Sequence, residues 1–333
     1  MRLTFKSLRR LKGKEGVALI TTLMVIALLV AVIVEFNRMA IADIDVSQNF
    51  GDEKKILYMT ISGVNVIREL LKLDALYTKS DTLFEEWANS KASFDYATSM
   101  LDEGRLEGQI IDENGKIDVN SLVGEKGDFN ETQKAIWERL LGQRMFALSD
   151  DQINRIIYGV KDWLDQDFEI TGIYGAENSL YMAKGYACKN GPLDVLEEML
   201  MINGVTEEIF YGDARREGIR HYFTVYGSPK ININTAPIPV LMALSDNLTE
   251  DSALEMDRFR RDETNKALLG SNQWYKRVWP LEKPLPETVI STSSSAFSVY
   301  IRGELHKSVK DIHAVISRSV GEGGTALVYW QEM

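Results

Sequence analysis

Cysteine, histidine and proline are all scarce in this 333-residue chain, and each scarcity narrows what it can be. The one cysteine, Cys188, excludes an intrachain disulfide, so packing or a bound metal must hold the fold even in an oxidising compartment. Cys188 reads as a small buried hydrophobe or as half of an intermolecular bridge. The three histidines, His221, His306 and His313, stand far apart and leave no zinc-ligand spacing. G-x-S-x-G, Walker A and dinucleotide patterns are missing too, which removes common signatures of enzyme chemistry. No proline precedes Pro192, so none breaks a helix in the first half of the chain. Basic residues concentrate before Gly16, where the net charge is +5, leaving -16 for the 317 residues after it. An acidic body repels phosphate backbones, so nucleic acid is not an expected partner.

What is present begins with Val17 to Val34, eighteen residues without a charge. As a helix they extend roughly 27 Å, close to the hydrocarbon thickness of a bilayer. The basic cluster holds its end in the cytoplasm, so everything after Glu35 is expected on the far side, the periplasm of a Gram-negative cell. A glycine, Gly16, stands immediately before the apolar run, where an ordinary signal would carry a small-residue cleavage site after it. This arrangement resembles the class III leader of type IV pilins and pseudopilins. The resemblance implies cleavage by prepilin peptidase between Gly16 and Val17, methylation of the new N-terminus, and retention of the membrane helix. That family usually carries Glu at the fifth mature position, taken to neutralise the N-terminal amine of a neighbouring subunit; here the position is Thr21. A charge in lipid is costly unless paired, so an uncharged Thr21 suits a subunit with no neighbour above it.

Beyond the span, Leu57, Ile61, Val64, Ile67 and Leu71 recur at three- and four-residue steps and predict an amphipathic continuation of the helix, which Gly51 and Gly63 could bend. Gly108–Asn120 alternates around Asn114-Gly115 and predicts a β-hairpin. Helices are expected over Asn130–Gly142, from Ser149 with Gln152 as a capping box, and over Pro192–Met201. Ile219–Tyr226 alternates like a strand, and Lys230–Leu241 predicts a strand entering a helix capped by Asn234 or Thr235. Ala296–Leu305, Lys307–Ser319 and Ala326–Trp330 predict an antiparallel meander. Between 162 and 177 five acidic side chains crowd a helix C-terminus, against its dipole. Composition leaves two readings open: a solvated acidic loop, or a site for a hard cation such as calcium.

The leader with Thr21, GKIDVN (115–120), DWLDQD (162–167), GAEN (175–178), KNGPLDVLEEM (189–199), ININTAP (231–237) and the closing VISRS…ALVYW occur in one order along nearly the whole chain. Together they resemble the minor pseudopilin K family of type II secretion systems. The resemblance implies an α+β, pilin-like fold: a long transmembrane and amphipathic helix packed on an antiparallel sheet, with a large inserted all-α, SAM-like domain. It divides the chain into a leader (1–16), a membrane helix (17–36), a pilin-like helix and first hairpin (37–120), an inserted helical domain (121–218), a strand with a second helical segment of SAM or helix-hairpin-helix type (219–290), and closing strands (291–333). It implies no enzymatic activity, and a single-pass inner-membrane protein with a periplasmic body at the pseudopilus tip. There it would start assembly for the export of folded proteins. The implied partners are minor pseudopilins I and J, the major pseudopilin and prepilin peptidase, with secreted cargo or the outer-membrane channel as further contacts. It also implies structural calcium, for which Asp165, Asp167 and Glu177 sit on the matching acidic stretch, with Asp162 a weaker candidate.

Three other readings compete. ININTAP also resembles the opening of helix-hairpin-helix DNA-binding domains, but no Gly-rich hairpin follows Leu244 and the body is acidic. Paired acids such as Asp165 and Asp167 could serve acid–base chemistry, but nothing places a nucleophile beside them. A tip minor pilin of a type IV or competence pilus would share every feature except the partners.

Overall fold

The computed structural model describes residues 15–279, 284–319 and 324–333; the basic leader residues Arg2 to Lys14 lie outside them. Helix α1 runs unbroken over Glu15–Tyr77, and Gly51 and Gly63 do not interrupt it. Its first part is exposed on every side, as an apolar rod with no protein partner must be. From Ile56 onward one face is buried, and the seam runs through Ile56, Met59, Val64, Ile67 and Leu71, with Leu57 and Ile61 at its rim. At Gly63 a Cβ would lie 2.5 Å from Ile301 Cδ1, so this glycine lets the sheet approach the helix closely.

After α2 (Ser90–Ser99) comes β1 (Arg105–Asp112), which pairs antiparallel with a strand near the C-terminus, Ile110 opposite Val299. Next are β2 (Ile117–Asp118), α3 (Glu131–Leu141), α4 (Asp150–Leu164), α5 (Asn178–Tyr181), α6 (Glu207–Tyr211), β3 (Phe223–Thr224), β4 (Ile231–Asn232), α7 (Ile238–Ala243), α8 (Glu250–Arg261) and β5 (Ile290–Ser291). The chain closes with β6 (Ala296–Leu305), β7 (Ser308–Arg318) and β8 (Thr325–Glu332). The main sheet is antiparallel in the order β1-β6-β7-β8, with an irregularity between Val315 and Ile316 where β8 pairs.

Two cores result. In the first, α1 lies on the sheet face formed by Phe297, Val299, Ile301, Ile312, Ala314 and Ile316. The second spans Ile117 to Ile290 and is built by α3, α4, α7 and α8 around Trp137, Trp163, Phe210 and Trp274. Fully burying an aliphatic or phenylalanine side chain of this core, such as Leu140, Ile156 or Phe210, contributes about 1.5–3 kcal/mol. The helical body is therefore an insertion between β1 and β6, and the molecule is an α+β, pilin-like unit carrying a second folded unit.

The closing meander and the two capped helices are where the sequence placed them: Asn130 and Ser149 each accept from the helix they open, and Ser149 and Gln152 form the capping box. Four local expectations are corrected. Asn114-Gly115 does not turn a hairpin: β1 pairs with β6, β2 pairs parallel with β3, and Glu113–Gly115 forms a short 3-10 turn. The Asn114 amide is used elsewhere, its Oδ1 accepting from the backbone of Ser295 (2.9 Å) and Ala296 (3.1 Å). Pro192–Met201 is not an α-helix but ends in a 3-10 turn, Leu196–Met201. Ile219–His221 is likewise a 3-10 turn, leaving a two-residue strand after it. Helix α7 begins after Pro237, not at Asn234 or Thr235, because both asparagines of ININ are fully buried and hydrogen-bonded across the junction of the two cores.

That junction centres on Arg318, buried near the end of β7. Its guanidinium donates to the Leu71 carbonyl (3.0 Å) and Asp74 Oδ2 (2.8 Å), and contacts Asp81 Oδ1. Asp81 Oδ2 also accepts from the Ser294 amide at 2.6 Å. The Asn232 amide donates to the Asp81 carbonyl and to Asp112 Oδ2, both at 3.1 Å, and Asn234 receives Trp274 Nε1–H at 2.8 Å. Rod, sheet and helical body thus meet at one polar joint with its donors and acceptors matched.

Candidate processing site and candidate metal centre

Gly16 and Val17 lie in the first turn of α1, exposed, directly before the apolar rod. Thr21 stands one turn on. Its hydroxyl donates back to the carbonyls of Val17 (3.1 Å) and Ala18 (2.9 Å), so the one polar group at that position is satisfied within the helix. A carboxylate there would have no such internal partner.

The second site forms at the end of α4, where the amphipathic pattern expires and the chain reverses into the segment carrying GAEN. The structure brings Asp165, Asp167 and Glu177 together, with one carboxylate oxygen from each within 4.8 Å of the others. Asp165 and Glu177 are 2% and 3% exposed, and Asp167 faces solvent. Asp165 Oδ2 is held by the Lys161 ammonium, and Glu177 Oε2 accepts from the Asn178 amide (3.1 Å). Asp165 Oδ1 and Glu177 Oε1 are buried and have no partner among the described residues. Burial, opposed by Lys161 and reinforced by the neighbouring carboxylates, holds the Asp165 carboxyl above its usual range. Burial first, and then Asp162, Asp165 and Asp167, push Glu177 up to about 6.

Two orphaned carboxylate oxygens facing a third carboxylate are costly, and a hard, oxygen-seeking cation is the simplest group that would complete them. The residues present therefore fit a calcium-type ion. Asp162, the weaker candidate, has a different role. Its carboxylate accepts from the backbone of Thr171 (3.1 and 3.2 Å) and Ala176 (2.7 Å), which folds the loop back on itself. The same approach leaves no room for a Cβ at Gly175, which accounts for the glycine of GAEN.

The KNG segment clamps the loop from its other side. Asn190 donates to the Asp167 carbonyl, Gly191 N–H to the Trp163 carbonyl (3.1 Å), and Cys188 N–H to Asn178 Oδ1 (2.8 Å). Cys188 is buried in this clamp and burial pushes its thiol up to about 12, which leaves it unreactive. None of the histidines joins the carboxylates. His306 Nδ1 lies 3.2 Å from Asp52, and His313 stacks on Tyr300 with centroids 4.2 Å apart. The Arg318 joint is a structural cluster whose one signal in the sequence is an arginine closing an apolar strand, in VISRS.

Comparison with known proteins agrees with this architecture. Residues 115–212 match a family model described as type II secretion system (T2SS), protein K. The chain is 25% identical over 244 residues to type II secretion system protein K of Pseudomonas aeruginosa, covering 70% of this chain and 68% of that protein. With the protein of the same name from Aeromonas hydrophila it shares 23% identity over 333 residues, 92% of this chain and 94% of the other. Among solved structures, the GspK-GspI-GspJ complex of the enterotoxigenic Escherichia coli type 2 secretion system contains a chain of the same fold. The TM-score is 0.64 at 17% identity, over 86% of this chain and 99% of that one.

Proposed function

Because the chain belongs to the type II secretion system protein K family, as a minor pseudopilin of that system, we propose that it stands at the tip of the pseudopilus and starts its assembly. The observation that carries this reading is the division of α1 into a bare apolar rod and a second half built into the sheet. Such a rod can span the bilayer and, once lifted, has its long axis available to pack against the rods of other subunits below it. The body above Ile56 is too bulky to repeat along a narrow filament and suits an end position, where nothing stacks on top. Thr21 agrees with that position, since it brings no charge in need of an amine from a subunit above. The similar Escherichia coli chain was solved with GspI and GspJ; by that likeness, minor pseudopilins I and J are the partners proposed here. The names carried by the relatives favour a secretion pseudopilus over the tip of a type IV or competence pilus.

Four finer statements belong to the same reading. Prepilin peptidase cuts between Gly16 and Val17 and the new N-terminus is methylated. The rod lies in the inner membrane with the body in the periplasm. The major pseudopilin packs beneath the tip, with secreted cargo or the outer-membrane channel meeting it from above. Calcium binds Asp165, Asp167 and Glu177 and holds the acidic loop closed.

Mass spectrometry of the chain extracted from membranes tests the central step. The expected N-terminus is Val17 carrying one methyl group, and G16A should leave the leader attached. A native chain that begins at Met1, or that has lost the rod up to Val34, would defeat the reading. A second assay is co-extraction with the I and J proteins, expected to survive T21E while filament growth does not.

A further inference from the structure

The loop that carries the carboxylates also displays apolar side chains in the open. Phe168 is 72% exposed, Ile170 53% and Ile173 88%. Nothing in the local chemistry requires them there, and the loop is not free to tuck them away. Its backbone is pinned from inside by the Asp162 carboxylate on Thr171 and Ala176, by the Gly175 N–H on the Thr171 carbonyl (3.1 Å), and by the Tyr174 hydroxyl on Asp151 (2.8 Å). Exposed apolar groups on a fixed support, rimmed by charge, mark a contact surface.

Charge and position narrow what it contacts. The apolar side chains flank Glu169, which is exposed and lies outside the proposed cation site, and no lysine or arginine occurs between Lys161 and Lys184. A complementary surface is therefore apolar at its centre and basic at its rim. The bilayer holding the chain's own rod is a poor fit. The helical body joins the rod at Leu71 and beyond, roughly 55 Å of α-helix past Val34. An anionic lipid surface would also be repelled by the same carboxylate.

We propose that Phe168, Ile170 and Ile173 form a docking knob for a partner protein presenting an apolar cleft rimmed by lysine or arginine, its shape set by a cation on Asp165, Asp167 and Glu177. The cation part rests on the metal reading above; the knob itself does not. The knob would project from the inserted body, on a different element from the rod that packs into a filament, so one subunit could hold both contacts at once.

The test uses the full-length chain in cells that contain the complete secretion apparatus, with p-benzoylphenylalanine replacing Phe168, Ile170 or Ile173 in turn. The expected result is a light-dependent protein adduct from all three positions, with a contact peptide that contains Lys or Arg within a few residues. The exposed Tyr96 position, on α2, serves as the comparison and should give at least about tenfold less of that adduct. I173E, at a side chain with no packing to lose, should abolish the adduct from position 168 while leaving the calcium-induced melting shift of the purified chain intact. Adducts to lipid alone, a contact peptide without basic residues, or a yield no higher than at Tyr96 would overturn the proposal. If E177Q removes the melting shift and lowers the adduct several-fold, the cation shapes the knob. If the adduct is unchanged by E177Q, the cation part is lost and the knob stands alone. If calcium produces no melting shift in the unsubstituted chain while the adduct forms, the metal reading fails separately.

Discussion

Two groups of buried carboxylates in this chain differ in how far the protein itself completes them. At the joint between rod and body, Asp74 and Asp81 meet the Arg318 guanidinium, and Asp112 accepts from Asn114, Asn232, Thr235 and Ser294. At the end of α4, Asp165 and Glu177 each keep one buried oxygen without a donor. Both groups bear the desolvation cost of burial and both draw on protein groups, but only the first gives every buried carboxylate oxygen a donor among the described residues. A completed cluster locks elements together, whereas an incomplete one waits for something from solution. Asp118 is an intermediate case: it is buried with one donor, the Asn120 amide, and burial pushes its carboxyl up to about 6.

The sharpest way to break the contrast is to empty the completed cluster. R318M leaves Asp81 buried without its cation and should cost about 3–5 kcal/mol, read as a lower urea midpoint with an unchanged slope. If R318M melts like the parent, the joint is not what couples the two units.

The intermediate case follows through pH. The folded-state pKa of Asp118 is above its unfolded value, so the folded chain binds the proton more tightly. Its contribution is full below about pH 4, falls as pH rises toward 6, and is flat above that. D118N should remove Asp118's share of that slope, leaving the share of Glu177, and raise stability at pH 7 relative to the parent by up to about 3 kcal/mol. A parent-like slope in D118N, measured by urea titration between pH 4 and 7, would assign it to another group.

For the incomplete cluster, calcium should supply what Arg318 supplies elsewhere. At a hundredfold excess over Kd the gain is about 2.7 kcal/mol, seen as a rise in Tm that chelator reverses and E177Q abolishes. Equal melting with calcium and with chelator would leave the cluster as an acidic loop.

The smallest expected effect is a control. S149A removes the N-cap of α4, whose far end bears Asp162 and Asp165, and should cost about 1 kcal/mol without altering the calcium shift. A lost shift would mean that the site depends on the whole helix.

Much of this was readable along the chain, for reasons particular residues make plain. Val17–Val34 needed no context, since eighteen uncharged residues have few stable fates. Asn130, Ser149 and Gln152 act within one turn of helix, so their roles are local. The candidate ligands Asp165, Asp167 and Glu177 follow from a motif resemblance, and the fold brings their oxygens together. Asn114-Gly115 misled because its hairpin signal is a statement about backbone freedom, while the Asn114 side chain is recruited by Ser295 and Ala296 from far along the chain. The same holds for Asn234, drawn from a capping role into the joint by Trp274 and Leu269.

By itself, the sequence determined the rod, the caps, the closing meander and the excess of carboxylate, because each depends on neighbours within a few residues or on composition alone. Tertiary structure decided which strand completes β1, which carboxylates are satisfied and which are left open, and where Arg318 finds its partners. The strand pairing and the Arg318 joint depend on groups far apart along the chain, whose meeting is set by the packing of two cores and not by any local preference.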